Sequence, residues 1–191
     1  MASTQQLKSR IRSVKSTKQI TKAMQMVAAS KMRRAQEATK SSQAYTMAAR
    51  ELLTYLAAQG ATNGHKWFTV RPVKSRLLIV IASDKGLAGA YNANILKAYV
   101  RELKTDDAAN IANKTIAVGR KIAQAATRIK DTEIVGTYED LPDHFSGAEF
   151  HAILNTAKDM FEANQVDAVD VIFTRFVSSL TQRADVVRLF P

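Results

Sequence analysis

Cysteine is absent from the 191 residues, which excludes disulfides, thiolate metal sites and a cysteine nucleophile and fits a reducing compartment. Histidine is scarce: His65, His144 and His151 are too scattered to read as a metal site. No apolar run approaches the ~20 residues of a membrane span. Two further gaps fall in the same stretch. The first glycine is Gly60 and the first proline Pro72, so nothing interrupts a helix before that point. Across residues 1–50, Glu37 is the only acid against eleven Lys and Arg, whereas the rest of the chain holds 17 bases and 16 acids. Nearly all of the net charge of +11 therefore sits in one quarter of the chain, and an acidic partner is expected there: nucleic acid, an anionic membrane or an acidic protein surface.

A helix over residues 4–57, capped by Ser3 or Thr4, would be about 80 Å long at 1.5 Å per residue. That length suggests a coiled coil or shaft. Leu7, Ile11 and Val14 begin an apolar stripe with 4-then-3 spacing; Tyr45, Ala48, Leu52 and Leu56 end with another. Both read as seams for a partner helix. The middle, "ITKAMQMVAASKMRR" over 20–34, is different. Ile20, Ala23, Met24, Met26, Val27, Ala28, Ala29 and Met32 spread around the whole circumference at about 100° per residue, and a helix apolar on all sides must be surrounded. The remaining residues make a body about 30 Å across, too small to sheath the rod, so other chains must cover it. Alanine and methionine give soft, adaptable contacts. Lys8, Lys15, Lys22, Arg33 and Lys40 fall within about 40° of one another, with Lys18 near the edge of that stripe. A solvated face is the ordinary fate of such a stripe; the near-absence of acids argues instead for an acidic partner. Residues 1–17 are Ser- and Lys/Arg-rich like a transit peptide, but the helical pattern runs on past any cleavage point, so an uncleaved N-terminus is expected.

Beyond Gly60 the pattern changes. Residues 61–72 carry turn residues. Strands are expected at 76–83, 113–119, 132–138 and 166–176, with 181–190 as a hairpin or edge strand. Helices are expected near 90–103, 120–129 and 146–165, the last opened by a Ser146/Glu149 capping box. Alternating strands and helices imply α/β architecture with a largely parallel sheet. The expected division is a shaft helix over 1–58, a connector over 59–75 and an α/β domain over 76–191.

Catalytic signatures are missing. The loop "SDKGLAGAYN" follows a strand and precedes a helix, where α/β folds bind phosphate. Gly86 and Gly89 give only G-x-x-G, without the glycine spacing that dinucleotide or P-loop binding needs. The loop, including Asp84 and Asn92, reads as a structural turn, with Gly86 at a positive-φ position and Gly89 allowing close strand–helix packing. The pairs Asp106–Asp107 and Glu139–Asp140 read as turn and helix-end residues in polar connectors. No catalytic site, cofactor site or metal site is expected. A nucleotide-binding enzyme would rest on that one loop. A basic-helix nucleic-acid-binding protein is the alternative, opposed by the absence of aromatics before Tyr45 and by an all-round apolar segment that has no use in a groove.

"ITKAMQMVAASKMRRAQ" (20–36) closely resembles the signature of the gamma subunit of F-type ATP synthases. "SDKGLAGAYNANI" (83–95) and "VIFTRFVSSLTQRADVVRLFP" (171–191) resemble that family's first strand–turn–helix segment and last strands. The resemblance implies a non-catalytic rotor subunit. Its N-terminal helix would pair with the C-terminal helix of gamma as an antiparallel coiled coil inside a ring of alpha and beta subunits. A Rossmann-like domain would sit at its foot, above the membrane c-ring and beside epsilon, and no nucleic acid would be bound. The ring-facing residues would be Lys15, Lys18, Ile20, Lys22, Met24, Met26, Val27, Ala28, Lys31, Met32 and Arg33, the basic ones facing acidic loops of beta. The resemblance places the protein peripherally on the cytoplasmic face of a bacterial plasma membrane, rather than on an organellar inner membrane. Family members continue into a second long helix beyond the point matching Pro191. Three readings stay open there: a fragment, a helix supplied by a second polypeptide, or a truncated gene product.

Overall fold

The computed structural model describes residues 3–130, 132–142 and 147–191. The chain divides into two compact units between Ala61 and Thr62.

The first unit is one helix, α1 (Thr4–Ala58). Its ends are set by local chemistry. Ser3 is the N-cap: the Gln6 amide donates to Ser3 Oγ at 3.3 Å, and the Ser3 amide donates to Gln6 Oε1 at 3.1 Å. This is a reciprocal capping box written in the sequence as Ser-Thr-Gln-Gln. At the other end Gly60 takes φ +73°. Its amide donates to Ala57 O, and that of Ala61 donates to Leu56 O, both at 3.0 Å. That is a Schellman stop, which needs a residue free to enter the left-handed region. No side chain of α1 is buried.

The second unit is a five-stranded sheet with helices on both faces. In chain order it runs β1 (Ser75–Ile81), α2 (Tyr91–Ala108), β2 (Ala112–Val118), α3 (Arg120–Ala126), β3 (Glu133–Tyr138), α4 (Ala148–Glu162), β4 (Ala168–Phe176) and β5 (Gln182–Phe190). The strand order is β3-β2-β1-β4-β5. The first four strands are parallel, and β5 returns antiparallel to β4. Strand β1 is buried on both faces, and its side chains alternate between two cores. Leu78 and Val80 meet Ile95 and Tyr99 of α2 and Ile122 of α3. Leu77 and Ile79 meet Ile153, Ala157 and Phe161 of α4. Tyr99 is fully buried, with its hydroxyl 2.8 Å from Thr115 Oγ1; burial pushes that phenol's pKa up against the hydrogen bond.

The expected elements are present with shifted ends. Helix α2 runs on to Ala108 because Asp106 is not a connector residue. It is buried and accepts from Arg76 Nη1 at 3.0 and 3.1 Å. Arg76 also donates to Asp170 through Nε and to Glu102 at 3.1 Å, and Arg188 donates to Asp170 from β5. Desolvation pushes the Asp106 pKa up, with Arg76 opposing it. Desolvation pulls the Arg76 guanidinium down, but Asp170 and Asp106 outweigh it and the net shift is upward. A buried cation this fully paired fixes how β1, β4, β5 and α2 meet. Helix α4 starts at Ala148 behind Gly147 at φ +90°. The expected Ser146/Glu149 capping box lies outside the described residues and side chains.

Residues 62–74 are pinned to the sheet unit rather than left as a free tether. Trp67 Nε1 donates to Glu162 Oε1 at 2.8 Å. The Arg71 guanidinium lies 4.4 Å from the centre of the Phe161 ring, donates to Phe161 O at 3.1 Å and pairs with Asp167 at 2.8 Å.

Candidate functional site

Two regions were singled out by the sequence: the surface of α1 and the loop after β1.

Along α1 the structure leaves every proposed contact residue in solvent. Ile20, Met24, Met26, Val27 and Met32 are 47–63% exposed, although all are apolar. Ala28, Lys15, Lys18, Lys22, Lys31 and Arg33 are exposed with them. So are the seam residues Leu7, Ile11, Val14, Tyr45, Leu52 and Leu56. Scattered surface hydrophobics need no explanation, but this many exposed large apolar side chains on one helix do. The exposed apolar set is also wider than the two seams. Met47, Leu53 and Tyr55 are at least half exposed and point away from the Tyr45/Leu52/Leu56 line; the signal for them was the same 100° wheel carried about four to six turns further. The hydroxyls between these residues are satisfied internally. Thr17 donates to Ser13 O, Thr21 to Thr17 O, Thr39 to Ala35 O and Thr46 to Ser42 O, all at 2.9–3.0 Å. Thr side chains that bond back to the helix's own carbonyls can be covered by protein without stranding those hydroxyls. The surface of α1 is therefore exposed, partly apolar and basic.

The loop after β1 lies at the carboxyl end of the central strand. The sheet order reverses there, β1 being flanked by β2 on one side and β4 on the other, which is the ligand crevice of open α/β sheets. Here the chain fills the crevice's anion position itself. Asp84 Oδ1 accepts from the Arg120 amide at 2.9 Å and from the Asp140 amide at 3.1 Å. The carboxylate thus occupies the N-terminus of α3 and ties the ends of β1, β2 and β3 together. Asn92 Oδ1 accepts from the Ser83 amide at 3.1 Å and from Ser83 Oγ at 2.9 Å, closing the loop onto α2. Asp84 and Asn92 thus both bond the loop to its flanking elements.

The two glycines do not take the roles expected of them. Gly86 has no positive φ; Leu87 (φ +58°) and Gly89 (φ +57°) do. A Cβ on Gly89 would meet nothing within 4 Å, so it supplies no close packing. The close approach belongs to Gly119, at φ +101°, where a Cβ would fall 2.3 Å from Ala82 O. The sequence offers no cue to it, since the contact joins residues 37 positions apart. Glu139 and Asp140 pair with Arg120, Glu139 at 3.0 Å, and are structural ends of β3.

The family described as ATP synthase matches residues 3–191. Over its full length the chain is 38% identical to the ATP synthase gamma chain of Desulforamulus reducens and 36% identical to that of Cupriavidus pinatubonensis, covering 66% and 65% of those proteins. It therefore spans just under two thirds of the curated relatives it matches. The fold is similar to that of the central stalk and c-ring assembly of Tetrahymena thermophila mitochondrial ATP synthase (TM-score 0.57, 24% identity, 90% of this chain and 72% of that one). It is also similar to the rotor of Euglena gracilis mitochondrial ATP synthase (TM-score 0.58, 17% identity, 96% and 61%). The nucleic-acid reading finds no support in these relatives. A family model that matches residues 3–191 and similarity to gamma chains over the whole of this chain show the family: the chain belongs to the ATP synthase gamma chain family.

Proposed function

We propose that α1 is the shaft of a rotary ATP synthase and that this polypeptide transmits torque without catalysing a reaction. The shaft region is 1–58, the connector 59–75 and the foot 76–191. In this reading the seams of Leu7, Ile11, Val14, Tyr45, Leu52 and Leu56 pair with the second long helix of gamma as an antiparallel coiled coil. Residues 15–33 turn inside a ring of alpha and beta subunits, with Lys15, Lys18, Lys22, Lys31 and Arg33 facing acidic loops. The α/β unit meets epsilon and the membrane c-ring, and proton flow through that ring drives ATP synthesis in the catalytic ring. The protein then lies peripherally on the cytoplasmic face of a bacterial plasma membrane; among the described residues no helix is long and apolar enough to cross one.

The single supporting observation is a 55-residue helix with no buried residue whose apolar side chains cover its whole circumference between Ile20 and Met32. A seam alone would suit any coiled coil; an all-round sleeve suits a rod that presents every side to its neighbours. The test is ATP-driven proton uptake in vesicles, with the partner helix restored. Met24→Leu keeps volume and apolarity and should pump normally. Ala28→Asp should fail to assemble or hydrolyse ATP without pumping, since an unpaired buried charge costs several kcal/mol. Normal pumping by Ala28→Asp would end the reading.

A further inference from the structure

Helix α2 has an outer face that its own unit leaves open. Two rows with four-residue spacing run along it, Ala93–Lys97–Arg101 and Leu96–Val100–Lys104, and border the shallow groove between them, which is open to solvent and ends near Ala108. Such paired rows are the geometry that receives the ridge of another helix. Leu96 and Val100 are half-buried and form an apolar floor; the three cations are exposed at the rim, their aliphatic stems lying along apolar surface. Ala93 and Ala108 leave room for close backbone approach at either end. The groove length, Ala93 to Ala108, is about 22 Å, or roughly four helical turns.

Charge selects the occupant. Arg101 has a neighbouring carboxylate, Glu102 at 3.2 Å, while Lys97 and Lys104 make no ion pair among the described residues. Beside it, an open notch that also includes Lys97 and Arg101 adds Arg183, at the start of β5; Arg183 pairs with Asp185 at 3.9 Å. A second copy presenting the same rows would oppose cation to cation. An acyl chain would stay half in water, because the groove is open along its length. A helix with a small apolar ridge bordered by carboxylates would cover the floor and neutralise the rim together.

We propose that the outer face of α2 docks an acidic amphipathic helix of a partner protein, a proposal that does not rest on the shaft reading. The probes are three labelled helical peptides of about four turns: one with an Ala/Leu ridge flanked by Glu, a scramble of it that destroys the ridge, and one with Lys in place of Glu. Vesicles of phosphatidylglycerol serve as the lipid probe. With the full chain, the acidic ridge peptide should bind about tenfold tighter than the scramble and protect amides over 93–108 from exchange. Lys97→Glu/Lys104→Glu changes two exposed residues, so its melting should match the parent, and its preference should switch to the Lys peptide. Equal binding of scramble and ridge peptide would reduce the effect to attraction by a basic chain and overturn the proposal. So would binding unchanged in the double variant, or a double variant that loses vesicle binding while keeping its affinity for the peptide.

Discussion

Gly119 and Gly89 separate two reasons for a glycine. Both sit at positive φ, but only Gly119 has a backbone oxygen where a Cβ would go. Gly119→Ala should destabilise the α/β unit by about 3 kcal/mol or more, combining backbone strain with an overlap that Ala82 cannot relieve. Gly89→Asn should cost under about 1 kcal/mol, since asparagine tolerates the left-handed region and the space is empty; urea denaturation measures both. Asp167 makes a pH prediction. Desolvation raises its pKa, but the amides of Lys74 and Ser75, at 2.9 and 3.0 Å, and Arg71 outweigh that and hold the carboxyl below its ordinary 3.8. A depressed folded-state value contributes stability that is complete above the unfolded value and lost as pH falls through the folded one. Stability of the parent should therefore drop below about pH 4 more steeply than that of Asp167→Asn, as followed by denaturation at stepped pH; parallel profiles would contradict the assignment. These residues were poorly legible beforehand. Glycines and aspartates can be counted in a sequence, but the carbonyl or amide each one meets comes from a distant strand.

Elements were far more legible than their ends. Helix α1 was readable because nothing in residues 4–58 opposes a helix, and both of its caps are local. The alternation of strands and helices was readable because β1, buried on both faces, is a continuous apolar run. The end of α2 was not: Thr105-Asp106-Asp107 looks like a polar connector until Arg76, thirty residues earlier in sequence, draws Asp106 inside. With no buried side chain, α1 lacks tertiary support in the isolated chain, and long helices rely on such support. Amides across 10–50 should exchange fast while 76–82 and 168–175 are protected; strong uniform protection of 10–50 in a verified monomer would contradict this. The basic stripe is a separate matter. Replacing Lys15, Lys22 and Arg33 with Gln should leave melting of the α/β unit unchanged, because exposed charges contribute little. Binding to the catalytic ring should weaken at low salt, with the difference shrinking at high salt. Equal binding at low salt would make the stripe a solvated face.

At the scale of the whole molecule the two units divide the labour. One holds nearly all the net charge and no core; the other holds the core and almost balanced charge. In the proposed reading, the α/β unit supplies the stable part and α1, apolar in its middle and basic along one side, supplies the shaft. The central claim is that residues 24–28 are surrounded on every side in the assembled complex, and the absence of native cysteine makes that directly measurable. Single cysteines at Met24, Met26, Val27 and Ala28 sample three sides of the helix, Met24 and Ala28 sharing one, and all four positions are exposed in the chain alone. Each variant would be treated with a water-soluble maleimide, before and after assembly with the catalytic ring and the second gamma helix. Labelling should slow by about tenfold or more at all four positions on assembly, as expected for sites closed to solvent. One position that still labels at the free-chain rate would mean that a side of the rod faces water, and the account of α1 as a surrounded shaft would be wrong.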